Sequence, residues 1–130
     1  IERARARCGI LADRVRWIVA DVLTAEDLGP VDIWHDRAVF HFLTHPEERR
    51  QYALKALDTV ARGGHAIIGT FAPTGPETCS GLPVCRFDAI SLAAEFSSGF
   101  MLISSTAETH PTPWGKPQNF IYTVLRRRHA

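Results

Sequence analysis

The chain has 130 residues and a formal charge of +1, from fifteen Lys and Arg against fourteen Asp and Glu. That length allows one domain with a real core, yet is short for a complete doubly wound nucleotide-binding fold. The balanced charge, with no basic stripe interleaved with aromatics, argues against nucleic acid as a partner.

Ile1, Ala4, Cys8 and Leu11 recur at near-helical spacing among Arg3, Arg5 and Arg7, which predicts an amphipathic helix over 1–13 interrupted by Gly9. Val15 to Ala20 is a β-rich run ending at Asp21, and Val31 to Trp34 is a second after a loop holding Gly29-Pro30. Thr44-His-Pro-Glu47 matches a capping box that should start a helix, with Tyr52, Ala53, Ala56, Leu57 and Val60 as its apolar stripe. Gly63-Gly64 should stop that helix before the strand that runs to Phe71. Ala72 to Val84 is a long Pro- and Gly-rich loop, Asp88 can cap a short helix carrying Leu92, Ala93 and Phe96, and 100–109 and 119–126 read as strands joined by His110 to Gln118. The order is alternating α/β closed by an antiparallel pair, which predicts a mostly parallel sheet with helices on both faces and no internal domain boundary.

Three unpaired-looking cysteines, Cys8, Cys79 and Cys85, lack C-x-x-C spacing and fit a reducing compartment better than a disulfide framework or a zinc site. With no apolar run long enough for a bilayer and no signal-peptide pattern, the expectation is a cytoplasmic protein without membrane contact and without a metal. The chain opens on Ile1 and Met101 is its one methionine, so it is read as a segment of a longer frame.

The most informative stretch is Val31-Asp-Ile-Trp-His-Asp-Arg-Ala-Val-Phe-His-Phe-Leu43, where an apolar strand runs into charged and imidazole side chains just as it stops. In a crossover unit the strand ends share one face, and a ligand belongs there. The loops at Ala72–Val84 and at His110 should open on the same face.

Four features then resemble the later part of a class I S-adenosylmethionine-dependent methyltransferase domain. They are Ile18-Val-Ala-Asp21, Val31-Asp32 running to Arg37-Ala-Val-Phe-His41, the Arg62-Gly-Gly64 turn into a strand, and the terminal strand pair. Their order and separations carry the resemblance, which covers essentially the whole chain. It implies a Rossmann-like fold lacking its first two strands, because the family's glycine-rich cofactor turn has no counterpart and no G-x-G occurs anywhere in the sequence. A single partial domain over 1–130 should bind the cofactor poorly and be inactive by itself. Uncovered strand edges would then offer a route to self-association.

By the same resemblance Asp21 approaches the adenine amino group, and Val22 adds a backbone amide and an apolar contact. His35, Asp36 and Arg37 line the cofactor's sulfonium and methionine end, and His41 stands where small-molecule members carry histidine. Methyl transfer is an in-line displacement that mainly needs alignment and exclusion of water, with a base only where the acceptor must lose a proton. His41 and His110 are the candidates for acceptor contact or proton removal, Trp114 for stacking on a planar acceptor, and Cys79 for holding a thiophilic or metalloid one. Plain structural readings stand beside each: a turn-capping Asp21, a surface Asp36–Arg37 pair, hydrogen-bonded histidines, a loop-anchoring Trp114 and an inert Cys79. His45, His65 and His129 read as structural. The acceptor implied is a small molecule. A nicotinamide-dependent dehydrogenase segment and a non-catalytic α/β interaction module are the rival readings, the first disfavoured by the closing antiparallel pair.

Overall fold

In the computed structural model, which describes residues 1–129, the chain runs through α1 (Glu2–Cys8), β1 (Val31–Arg37), α2 (Pro46–Thr59), β2 (Val60–Phe71), β3 (Thr78–Cys79), β4 (Leu82–Pro83), α3 (Ala89–Glu95), β5 (Phe100–His110) and β6 (Gln118–Arg127). Short 3-10 turns occupy Gly9–Arg14 and Phe40–Phe42. Four strands form the main sheet in the order β1-β2-β6-β5, and β3 with β4 makes a small separate hairpin. β1 and β2 pair parallel, while β6 is antiparallel to both of its neighbours. β5 therefore points the same way as β1 and β2, and Arg37, Phe71 and His110 end three co-directional strands on one edge of the sheet. The expected α/β layout with a closing antiparallel pair is present, but the sheet is not mostly parallel: one of its three pairings is parallel, because β6 runs against both of its neighbours.

Alternation along the strands sorts side chains between two faces. Trp34, Asp36, Ala66, Ile68, Thr123 and Leu125 face α2 and α3, whose Tyr52, Ala53, Ala56 and Leu92 complete the core with Phe40, Phe87, Phe96 and Phe100. Ile33, His35, Arg37, Ile67, Gly69, Phe71, Phe120 and Tyr122 lie on the other face. Helices were expected on both faces, but α2 and α3 pack on the same one, and α1 buries none of its residues. The second face is consequently open at Ile33, which is 61% exposed.

Three local expectations are corrected. Val15 to Ala20 is extended but joins no strand, and Val19 is 87% exposed; β-rich composition does not make a strand without a neighbour to take its backbone hydrogen bonds. The Thr44–Glu47 capping box does not form: His45 is the N-cap, without a side-chain cap bond, and Pro46 opens α2 with its fixed φ. Gly63-Gly64 does not stop the helix, which already ends at Thr59 and passes directly into β2. Instead Gly63, at φ 76°, lies within β2, where the register with β1 jumps from Val31↔Val60 to Ile33↔His65. This is a bulge, the other use of a left-handed glycine. The Asp88 cap, by contrast, forms in full: Asp88 Oδ1 accepts from the Ser91 amide at 2.7 Å, and Ser91 Oγ accepts from the Asp88 amide at 3.0 Å.

Candidate active site

The exit of β1 is a tight turn with Ala38 in the left-handed region at φ 62°, and Asp36 holds it. Asp36 Oδ1 accepts from the Val39 amide and Oδ2 from the Phe40 amide, both at 2.9 Å. The Tyr52 hydroxyl donates to Oδ2 at 2.5 Å and accepts from Trp34 Nε1 at 2.8 Å. Burial pushes the Asp36 carboxyl above the ordinary carboxylate range, against the hydrogen bonds that favour the ion, and burial likewise pushes the Tyr52 phenol up. Asp36 was expected at the cofactor. Its oxygens are instead committed to the turn and Tyr52, so it positions the residues that flank it.

His41 was expected at the acceptor, and it is fully buried between Phe42 and Phe71. Its Nδ1 accepts from the Phe71 amide at 3.2 Å and its carbonyl accepts from the Cys85 amide at 2.7 Å, while Nε2 has no partner among the described residues. It joins the ends of β1 and β2 from inside the fold. Burial lowers its pKa to about 4 from the ordinary 6.5. In the unfolded chain His41 takes a proton below its ordinary value, and in the folded chain it does not until the lowered one. Stability should therefore fall by up to about 3 kcal/mol as pH drops from 6.5 to 4. Urea unfolding at a series of pH values checks this, with His41→Asn, which keeps an acceptor for Phe71 but cannot titrate, expected to lack that slope.

Arg37 ends β1 on the open face. Its Nε donates to the Tyr122 hydroxyl at 2.9 Å, and its guanidinium lies 4.5 Å from the centre of the Phe120 ring. His110 ends β5 with its ring 6.3 Å from Phe120. His35 lies two residues before Arg37 on the same face and is exposed.

Two loops meet beside this edge. The Ala72 amide donates to the Asn119 carbonyl at 2.8 Å, Asn119 Nδ2 donates to Thr74 Oγ1 at 3.2 Å, and Arg86 reaches the Pro73 carbonyl at 3.0 Å. Between them Pro76, Thr112, Trp114, Lys116, Pro117 and Gln118 line a cavity of about 360 Å³. Trp114 is 83% exposed, so it is no core anchor. Cys79 lies in the β3–β4 hairpin of the first loop, half-buried and free, and does not line that cavity.

Asp21 is exposed and opens a turn in which its Oδ1 accepts from the Leu23 amide at 2.9 Å, leaving Oδ2 without a partner among the described residues. Val22 is half-buried against the core. The sheet does not fix Asp21 at the edge that gathers Arg37 and His110, because no strand precedes it. A larger cavity of about 470 Å³ lies elsewhere, between Ala25–Pro30 and the end of α2, beside the start of β1. Among the described residues no group of three or more His, Cys, Asp or Glu could hold a metal ion, and no helix is long and apolar enough to cross a membrane.

Tyr52, Phe120 and Tyr122 carry parts of this arrangement that the sequence analysis did not assign to it. Phe120 and Tyr122 are two apart on a strand, a spacing that puts both rings on one face and could have marked an aromatic platform.

The fold is that of S-adenosylmethionine-dependent methyltransferases. A SAM-dependent methyltransferase from Methanosarcina mazei superimposes with a TM-score of 0.72 at 10% identity, over 95% of this chain and 77% of that one. The 1,6-didemethyltoxoflavin-N1-methyltransferase of Burkholderia thailandensis, solved with bound 1,6-didemethyltoxoflavin and S-adenosylhomocysteine, gives 0.74 at 19% identity, over 98% and 56%. The N-methyltransferase NodS of Bradyrhizobium japonicum, in complex with S-adenosylhomocysteine, gives 0.68 at 14%, over 98% and 63%. This chain thus spans between about half and three quarters of the length of those three. No protein-family model matches the sequence, and no curated protein matches it.

Proposed function

We propose that this chain is the later part of a domain that moves a methyl group from S-adenosylmethionine to a small-molecule acceptor, with the first two strands and the glycine-rich cofactor turn outside it. The observation that carries the reading is the convergence of Arg37, His110 and the Trp114 loop at one sheet edge, since ligands of open α/β sheets bind beyond the carboxyl ends of the strands. When bound, the cofactor supplies a methyl group activated on sulfur. The residues present fit one end of it: the open oxygen of Asp21 can accept from an adenine amino group, and Val22 gives an apolar contact. His35 borders the sulfonium and methionine end. His110 takes a proton where the acceptor must lose one, Trp114 stacks on the acceptor, and Cys79 contacts it where it is thiophilic or metalloid. His41 and Asp36 act through the backbone they hold. The free cysteines fit a cytoplasmic setting. The uncovered edge of β1 is the surface through which the chain by itself would pair with a second copy.

Calorimetry with S-adenosylhomocysteine tests the reading. In the full-length protein Asp21→Ala should weaken binding about tenfold, the loss of one hydrogen bond to a charged group. The 130 residues alone should show no micromolar binding. Unchanged affinity in the variant would remove Asp21 from the adenine site, and tight binding by the short chain would overturn the partial-domain reading.

A further inference from the structure

Arg37 is exposed, yet two side chains of β6 engage its guanidinium. Its neighbour across the sheet on β2 is Gly69, and Gly69 in turn faces Tyr122 on β6. A Cβ on Gly69 would come within 2.7 Å of the Tyr122 ring, so the glycine makes room for Tyr122 to lie over the strand. From there the Tyr122 hydroxyl takes the Nε–H of Arg37, while the Phe120 ring supports the guanidinium plane at 4.5 Å. The side chain therefore leans inward over Gly69, away from the free edge of β1 and toward the strand that starts the Trp114 side of the edge.

What remains of the guanidinium is its outer pair of amino groups. Among the described residues Nη1 and Nη2 have no hydrogen-bond acceptor and Arg37 forms no ion pair, although Glu108 lies on the same face, opposite Phe120. A planar fork already held at Nε loses less entropy than a free one on engaging a second planar group of opposite charge, and a carboxylate matches it with two parallel bonds. His110 beside Phe120 adds a donor and Lys116 in the adjoining loop adds a positive charge on that side.

We propose that the methyl acceptor is a small carboxylic acid and that Arg37, set by Tyr122 and Phe120, binds its carboxylate. This rests on the methyl-transfer reading and names the substrate class of the same site. Arg37 is thereby moved from the cofactor's methionine end to the acceptor.

The probes are benzoate and its neutral isostere benzamide, with S-adenosylhomocysteine titrated separately into the full-length protein. Binding is followed through the imidazole signals of His110 and the side-chain Nε–H signal of Arg37 in NMR spectra. Benzoate should shift both signals in a saturable way and benzamide should not. Arg37→Gln and Arg37→Lys should each weaken benzoate at least about tenfold, since lysine keeps the charge but not the fork. Tyr122→Phe, which releases Nε while keeping the ring, should weaken it a few-fold and so act as a positioning change. S-adenosylhomocysteine affinity should be unchanged in all three variants. Loss of S-adenosylhomocysteine affinity in Arg37→Gln would instead assign the fork to the cofactor's carboxylate and overturn the proposal while leaving methyl transfer intact. Benzoate binding that is absent, or equal in wild type and Arg37→Gln, would overturn it as well. Failure of the wild-type protein to bind S-adenosylhomocysteine at all would be a failure of the underlying reading, and is distinguishable from both.

Discussion

Replacing Asp36 by Ala should lower the free energy of unfolding by about 3–5 kcal/mol, measured by urea denaturation at neutral pH. The loss comes from what the carboxylate leaves behind. The Val39 and Phe40 amides and the Tyr52 hydroxyl all donate to it, and Asp36 is 6% exposed, so water cannot readily replace it. Ala38 adds to the effect, because its left-handed conformation is unfavourable for a residue with a Cβ and persists while the following amides are gathered by Asp36. Asp36→Asn keeps one acceptor but turns an amide toward a donor, and should lose about 1–3 kcal/mol. Tyr52→Phe removes the hydroxyl that links Asp36 to Trp34 and should fall in the same range. An Ala variant that loses less than about 1 kcal/mol would mean that the exit of β1 is held by packing and not by this carboxylate.

What could be read from the sequence divides along the range of the interactions involved. The stripe Tyr52, Ala53, Ala56 and Leu57 and the Asp88 cap are set within a few residues and appear as expected, whereas Val60, read as the stripe's last member, is the first residue of β2. β5 and β6 were placed within a residue of each end because their turn chemistry and β-rich runs agree. Val15–Ala20 failed for the opposite reason: its strand character is local, but a strand is defined by a neighbour that local sequence does not encode. The site shows the same division. That Arg37 and His110 end co-directional strands followed from element order. That Arg37 meets Tyr122, 85 residues away, depends on sheet order and on the missing side chain at Gly69. Asp36 and His41 look like site residues in sequence because polar groups at a strand end usually face solvent. Here the turn folds them inward, where each is a hydrogen-bond acceptor for backbone amides.

Phe40→Ala should cost about 3–5 kcal/mol, the range for deleting a buried aromatic ring, while Phe40→Leu should cost about 1 kcal/mol. Phe40 has no exposed surface and touches Tyr52, Phe87 and Phe96 at ring distances of 4.9, 5.5 and 5.1 Å. Its ring therefore ties α2, α3 and the segment before α3 together, while its amide is one of the donors to Asp36. Core and strand exit thus share one residue. A double-mutant cycle of Asp36→Asn with Phe40→Leu should show a coupling of about 0.5–3 kcal/mol, because the two side chains meet through Tyr52 and through the Phe40 backbone. Strict additivity would separate them, and the turn that carries Arg37 would then be independent of the packing beneath it. A coupled pair means that loosening the core also loosens the strand end, so Phe40→Leu should broaden the Arg37 Nε–H signal although Phe40 lies in the core.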